Sequence, residues 1–191
     1  MELETNKYYH LYNRSNNREL LFRERENYIH FLTKYRKYLE EYLDTLAYCL
    51  MPNHFHFLIY VKSEEIETLK KKFGILLSSY TKAINKAFSR SGSLFQQHSK
   101  SKLLSDENNL LNVIAYIHQN PLRKNLVQKI EDWEFSSYID YIGIRNGTLV
   151  NKSLVKKKFN STEKFRLFSS TKVDKLDFIY NLEATSKVDS K

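Results

Sequence analysis

The sequence predicts an α+β fold: a ferredoxin-like antiparallel sheet with helices packed on one face, followed by a C-terminal tail that is helical or partly disordered. Three observations predict it. Strand-like and helix-like stretches follow one another as β-α-β-β-α-β-α. Two of the strands are separated only by Pro52-Asn53, a spacing that makes them an antiparallel hairpin. Beyond Gly147 the composition shifts to Lys, Ser and Asn, including the run Lys156-Lys157-Lys158.

The elements follow in order. Residues 7–12 are aromatic-rich and strand-like, and the polar stretch Asn13–Glu19 reads as a loop. From Arg25 to Tyr42, residues Tyr28, Phe31, Leu32, Tyr35, Tyr38, Leu39 and Tyr42 recur at helical spacing. Residues 45–51 and 54–61 make the hairpin strands around the Pro52-Asn53 turn. A long helix covers 64–89, where Ile66, Leu69, Phe73, Leu76, Leu77, Tyr80, Ile84 and Phe88 keep the period, and Ser91-Gly92 ends it. Residues 94–104 alternate as a further strand. Ser105-Asp106 resembles the N-cap of a helix, with Glu107 in its first turn, that runs through Leu110, Leu111, Ile114 and Ile117. Pro121 disfavours helical geometry at the residue before it, so this helix should end at Gln119 or Asn120. Residues 131–143 predict a short aromatic helix, and Phe159–Phe168 and Leu176–Leu182 two more, with the last few residues disordered. The domain reading is a body over 1–147 and a basic extension over 148–191.

Bulk properties narrow the function. Among 191 residues, 31 Lys+Arg against 22 Asp+Glu leave a net charge of +9. That excess favours a polyanion, nucleic acid before an anionic membrane surface. Fourteen tyrosines and twelve phenylalanines suit both a core and stacked single-stranded bases. No apolar stretch approaches the ~18 residues of a membrane span, and no membrane partner is expected. No signal peptide is evident, and the single Cys49 excludes an intramolecular disulfide framework; both suit the cytoplasm.

Two motifs carry the chemistry. In Met-Pro-Asn-His-Phe-His (51–56), His54 and His56 stand at i and i+2. On a strand both imidazoles then share one face, as a metal chelate needs, and Phe55 and Phe57 take the other. In Ala-Tyr-Ile-His-Gln-Asn-Pro (115–121), Tyr116 and Asn120 share a helix face. A phenol, with its pKa near 10, attacks a phosphodiester only if the phosphate charge is neutralised, as a metal does. The product would be a 5′-phosphotyrosine and a 3′-OH, a linkage that conserves the energy for rejoining. Asn120 is a candidate third ligand through its amide oxygen, with Gln119 as competitor and a simple cap as the plainer reading. His118 should point away. Candidate DNA contacts are Asn13, Arg14 and Arg18 in the first loop, Lys100 and Lys102 on the last strand, and Arg123 and Lys124 after the tyrosine helix.

Tyr-His-Leu-Tyr-Asn-Arg (9–14), Ala-Tyr-Cys-Leu-Met-Pro-Asn-His-Phe-His-Phe-Leu-Ile (47–59), Gly-Ser-Leu-Phe-Gln (92–96), Tyr-Ile-His-Gln-Asn-Pro-Leu-Arg (116–123) and Trp-Glu-Phe-Ser-Ser-Tyr (133–138) occur in one order. In this the chain resembles the REP-associated tyrosine transposases, a branch of the insertion-sequence-200-like single-tyrosine transposases. The resemblance covers about residues 6–143. It implies a transposase that cuts and rejoins single-stranded DNA near hairpins. It implies His54, His56 and Asn120 as ligands of Mg²⁺ or Mn²⁺, Tyr116 as nucleophile, and a monomer rather than an obligate dimer. One departure stands out: relatives often carry an arginine where this chain has Gln97-His98-Ser99-Lys100. Two other classes fit parts of the pattern: a non-catalytic single-strand-binding module, and a metal-dependent phosphodiesterase that uses water.

Overall fold

The structure is a computed structural model that describes residues 1–171. Strands β1 (Lys7–Arg14), β2 (Leu43–Met51), β3 (His54–Val61) and β4 (Lys100–Leu104) form one four-stranded sheet in the order β2-β3-β1-β4. All three ladders are antiparallel. Helix α1 (Arg25–Leu39) links β1 to β2, and α2 (Ile66–Ala87) links β3 to β4. Helix α3 (Glu107–Arg123) follows β4, then short α4 (Tyr138–Tyr141), α5 (Ser153–Lys158) and α6 (Thr162–Ser170). This is the α+β antiparallel class the sequence predicts. The Leu176–Leu182 patch and the chain end lie outside the described residues.

The period-2 alternation of the strands divides the core in two. On one face Tyr9, Leu11, Tyr48, Leu50, Phe55, Phe57 and Ile59 pack under α1 and α2. Aromatic rings interlock there: Tyr35 of α1 stacks on Phe57 at 4.2 Å, with the planes 7° apart. On the other face Ala47, Cys49, Met51, Leu58 and Leu104 pack against Leu110, Leu111, Val113, Ile114 and Ile117 of α3. The helices are therefore not confined to one face, and the second face is not open across its width. The reason lies in α3 itself. From Val113 to Pro121 every residue is buried, so this helix needs apolar partners on several sides. The sheet supplies one side, and Tyr138, Ile142, Val155 and Phe165 supply another.

Several boundaries move from their predicted places for local reasons. β1 runs on to Arg14, because Asn13 and Arg14 pair with Phe55 and His54 of the neighbouring strand. β4 shrinks to Lys100–Leu104. The segment before it is held instead by the Asn16 N–H on the Leu94 carbonyl (3.0 Å) and the Gln96 N–H on that of Arg14 (2.9 Å). Of the predicted 131–143 helix only Tyr138–Tyr141 is α-helical, and Ile130–Asp132 forms a single 3-10 turn. Residues 135–137 run along the exposed edge of β2, where the Leu50 N–H donates to the Phe135 carbonyl (2.9 Å) and the Ser137 N–H to that of Tyr48 (3.0 Å). An edge strand needs such partners.

Helix α3 also passes through Pro121 and ends at Arg123 rather than at Gln119 or Asn120. Proline deletes one amide donor, but the last turn keeps the Lys124 N–H on the Asn120 carbonyl (3.1 Å). The Asn120 side chain adds a bond to the Tyr116 carbonyl (2.9 Å).

His118 faces the outer side of α3, as expected. Its Nε2 lies 2.8 Å from Ser137 Oγ, among the rings of Tyr138, Tyr141 and Phe165. Burial pushes its pKa down to about 3. An unfolded histidine titrates near 6.5, so the unfolded chain binds the proton first and stability falls as pH drops below that value. From pH 7 to pH 5 this one residue should remove about 2 kcal/mol. His118→Gln, which keeps a bond to Ser137, should flatten the acid dependence by that amount in urea unfolding at the two pH values; an unchanged slope would refute the assignment.

Candidate active site

Strand β3 positions the two histidines. Phe55 and Phe57 are wholly buried under α1 and α2. That anchoring turns His54 and His56 to the opposite face. Their ring centroids stand 5.0 Å apart and the planes cross at 85°. Directly opposed residues of an antiparallel pair share a face. Arg14 opposes His54 and Tyr12 opposes His56. On the far side of β1, Lys100 opposes Tyr12 and Lys102 opposes His10. Arg14, Lys100 and Lys102 thus line up on the histidine face.

Helix α3 brings the tyrosine. The Tyr116 ring stands edge-on to His56 at 6.0 Å and to His10 at 6.3 Å, and the residue is 7% exposed. The Arg123 guanidinium lies 5.5 Å from that ring's centre. Asn120, one turn beyond Tyr116, is buried, and its amide nitrogen donates to the Tyr116 carbonyl. Its oxygen is therefore the atom able to ligate. Gln119 is engaged elsewhere: its nitrogen donates to the carbonyls of Ser169 (2.6 Å) and Thr171 (2.8 Å), and its oxygen accepts from Arg123. That commitment ties the end of α6 to α3.

The histidines suit a metal. Burial, then Lys124 and Arg14, push the His54 pKa down to about 4. Burial, then His54, His10 and Lys124, hold His56 well below the ordinary range. Both rings are neutral at pH 7, as ligands must be. His54 Nδ1 stands 2.7 Å from Asn53 Oδ1, and His56 Nδ1 stands 3.0 Å from His10 Nε2. Nε2 is the ligating atom on each ring when Nδ1 carries the hydrogen. Among the described residues no three His, Cys, Asp or Glu side chains gather as a metal cluster. Two imidazoles with one amide oxygen, completed by water or phosphate oxygens, fit Mn²⁺ or Mg²⁺ better than a closed structural zinc site.

The other predicted residues fall in different places. Arg14, Arg18, Lys100 and Lys124 are exposed, and Arg123 and Lys102 are half-buried. Arg18 sits in the turn after β1 with φ 57°. Asn13 is buried: its amide donates to the Gln96 carbonyl (3.2 Å) and Ser99 Oγ (2.7 Å), and its oxygen accepts the Arg14 N–H (2.7 Å). It holds the 96–99 segment against β1. Sequence reasoning gave no role to His10, Tyr12 or Asn53, all of which contact the histidine pair. The signal was there in the parity of β1, since Tyr8, His10, Tyr12 and Arg14 alternate onto one face.

Residues 4–120 match the family described as "Transposase IS200 like". A Haemophilus influenzae protein named as a REP-associated tyrosine transposase is 29% identical over 117 residues, which is 56% of this chain. The match spans 66% of that relative's length, just under two thirds. A solved structure of a REP-associated tyrosine transposase bound to a REP hairpin aligns with a TM-score of 0.61 at 15% identity, covering 81% of this chain and 93% of the other. At that identity the likeness is one of fold.

Removing a ligand should cost more than the roughly 100-fold that outer-sphere changes reach. His54→Ala and His56→Ala should each weaken Mn²⁺ binding beyond that limit, measured by electron paramagnetic resonance of the unbound ion. Asn120→Ala should weaken it less and Gln119→Ala not at all. Equal losses for Gln119 and Asn120 would remove Asn120 from the ligand set.

Proposed function

The chain belongs to the IS200-like transposase family, and from that premise we propose that it cuts and rejoins single-stranded DNA beside hairpins through a 5′-phosphotyrosine at Tyr116. One observation carries the reading: the Tyr116 ring stands 6.0 Å from His56, on the same sheet face as Arg14, Lys100 and Lys102. A DNA-binding module has no need of a buried tyrosine set against two neutral imidazoles.

The residues divide the work. His54 Nε2, His56 Nε2 and the Asn120 amide oxygen hold Mg²⁺ or Mn²⁺, which when bound supplies Lewis-acid polarisation of the scissile phosphate. The Tyr116 oxygen attacks phosphorus in line and its proton passes to solvent. The P–O3′ bond breaks, and the departing oxygen takes a proton to become a 3′-OH. Rejoining is the reverse, with a 3′-OH attacking the phosphotyrosine. Arg123 beside the Tyr116 ring and Lys124 near the histidines place positive charge where the phosphate must sit. Arg14, Lys100 and Lys102 extend that charge along the sheet toward the rest of the strand. The nucleophile and both histidines come from one chain, as a monomeric enzyme requires.

Two experiments test this. Labelled single-stranded hairpins incubated with protein and Mn²⁺ should give a covalent protein–DNA band on denaturing gels. Tyr116→Phe should abolish that band and the cleavage with it. Cleavage that persists in the mutant would mean a water nucleophile, and binding without cleavage or adduct would mean a binding module. Separately, Arg14→Ala and Lys100→Ala should each lower the slope of log affinity against log salt by about 0.7 on single strands. A slope unchanged in both would move the DNA path off this face.

A further inference from the structure

The hydrogen bond between His10 and His56 is not explained by packing alone. His10 lies at the centre of β1 with no exposed surface. Its Nε2 meets His56 Nδ1 at 3.0 Å, and the two rings stack 20° from parallel with centroids 5.1 Å apart. Tyr12 stacks on His10 at 5.0 Å, and Tyr116 closes the group edge-on to both imidazoles. The contact is therefore dry, and a hydrogen bond in dry surroundings holds its geometry strongly.

At 3.0 Å only one of the two facing nitrogens can carry the hydrogen. If His10 Nε2 donates, His56 must carry its own hydrogen on Nε2, which then has no lone pair for a metal. If His56 Nδ1 donates, its Nε2 lone pair is available. The remaining nitrogen of His10, Nδ1, is buried without a hydrogen-bond partner among the described residues. No other group there dictates the tautomer of His10, so the pair is free to take the state that leaves the His56 Nε2 lone pair available, with the His10 hydrogen on Nδ1. The second ligand shows the same device in simpler form. Asn53 Oδ1, an atom that can only accept, stands 2.7 Å from His54 Nδ1.

We propose that His10 is a positioning residue for the metal site: it accepts the Nδ1–H of His56, so that this ring is locked in one tautomer and one orientation with Nε2 facing the ion. Outer-sphere acceptors of this kind commonly fix ligand histidines. His10 is not itself a ligand, because its Nε2 is engaged by His56 and its Nδ1 is buried. The inference rests on the assignment of His54 and His56 as ligands.

The test compares His10→Phe, which keeps a buried ring without an acceptor, with His10→Gln, whose side-chain oxygen can accept. Mn²⁺ affinity is read by paramagnetic resonance, and the His56 tautomer by ¹⁵N NMR of the Mg²⁺-saturated protein; thermal melts confirm folding. His10→Phe should weaken Mn²⁺ 10- to 100-fold while His10→Gln recovers most of the loss. In wild type the His56 Nδ1 should show the protonated, pyrrole-type shift. The proposal is overturned if His10→Phe binds Mn²⁺ within about 2-fold of wild type, if both variants lose affinity equally, or if His56 Nδ1 is the unprotonated nitrogen. Wild-type protein that binds no Mn²⁺ would instead bring down the ligand assignment, and this inference with it.

Discussion

The register between β1 and β3 is the constraint on which the rest depends. Arg14 opposes His54, Tyr12 opposes His56, and the pairing runs unbroken to Lys7 and Val61. Side chains on paired strands alternate with period 2, so a slip of one residue would turn Arg14, Tyr12 and His10 into the α1–α2 core and Leu11 and Tyr9 out of it. The core forbids that slip. Phe55 and Phe57 on one strand and Tyr9 and Leu11 on the other are buried together under two helices. Hydrophobic packing on one face thus sets the chemistry on the other, and the site needs no separate device to hold its strands in register.

Helix α3 plays a double part for the same kind of reason. Its apolar residues close the second core against Ala47, Cys49, Met51 and Leu58, and the same packing brings Tyr116 to His56. Polar groups buried at such a place must find partners or stay neutral. Each does so in its own way: His118 through Ser137, Gln119 through the end of α6, Asn120 through its own helix, and His56 through His10. The result is a tyrosine and two neutral imidazoles in a water-poor corner, with the basic residues at its rim. In such surroundings a charge is felt more strongly than in water.

The chain reads well wherever one element suffices. The His-x-His parity on β3, the shared helix face of Tyr116 and Asn120, and the Asp106 cap were visible because each depends on a spacing of a few residues. Segments whose partners lie far along the chain read less well. Residues 135–137 carry aromatic helix-like periodicity, yet their backbone runs along β2 because that edge needs hydrogen bonds. Pro121 looks like a helix terminator, yet burial of the whole 113–121 face carries the helix through it. The choice between Asn120 and Gln119 was open in sequence. What the sequence did not show is that the Gln119 amide finds its partners fifty residues away at Ser169.

The sequence by itself determined the order of strands and helices, the α+β class, the basic charge, and the residue types of the site. Those follow from periodicity and composition, which are local. Only the tertiary structure decided that His10 stands behind His56, that Arg14, Lys100 and Lys102 share the histidine face, and that α3 covers part of that face. Each of those facts is a pairing between distant segments. Pairing is set by which apolar surfaces must be buried together, and a one-dimensional pattern shows which residues seek burial without showing which ones meet.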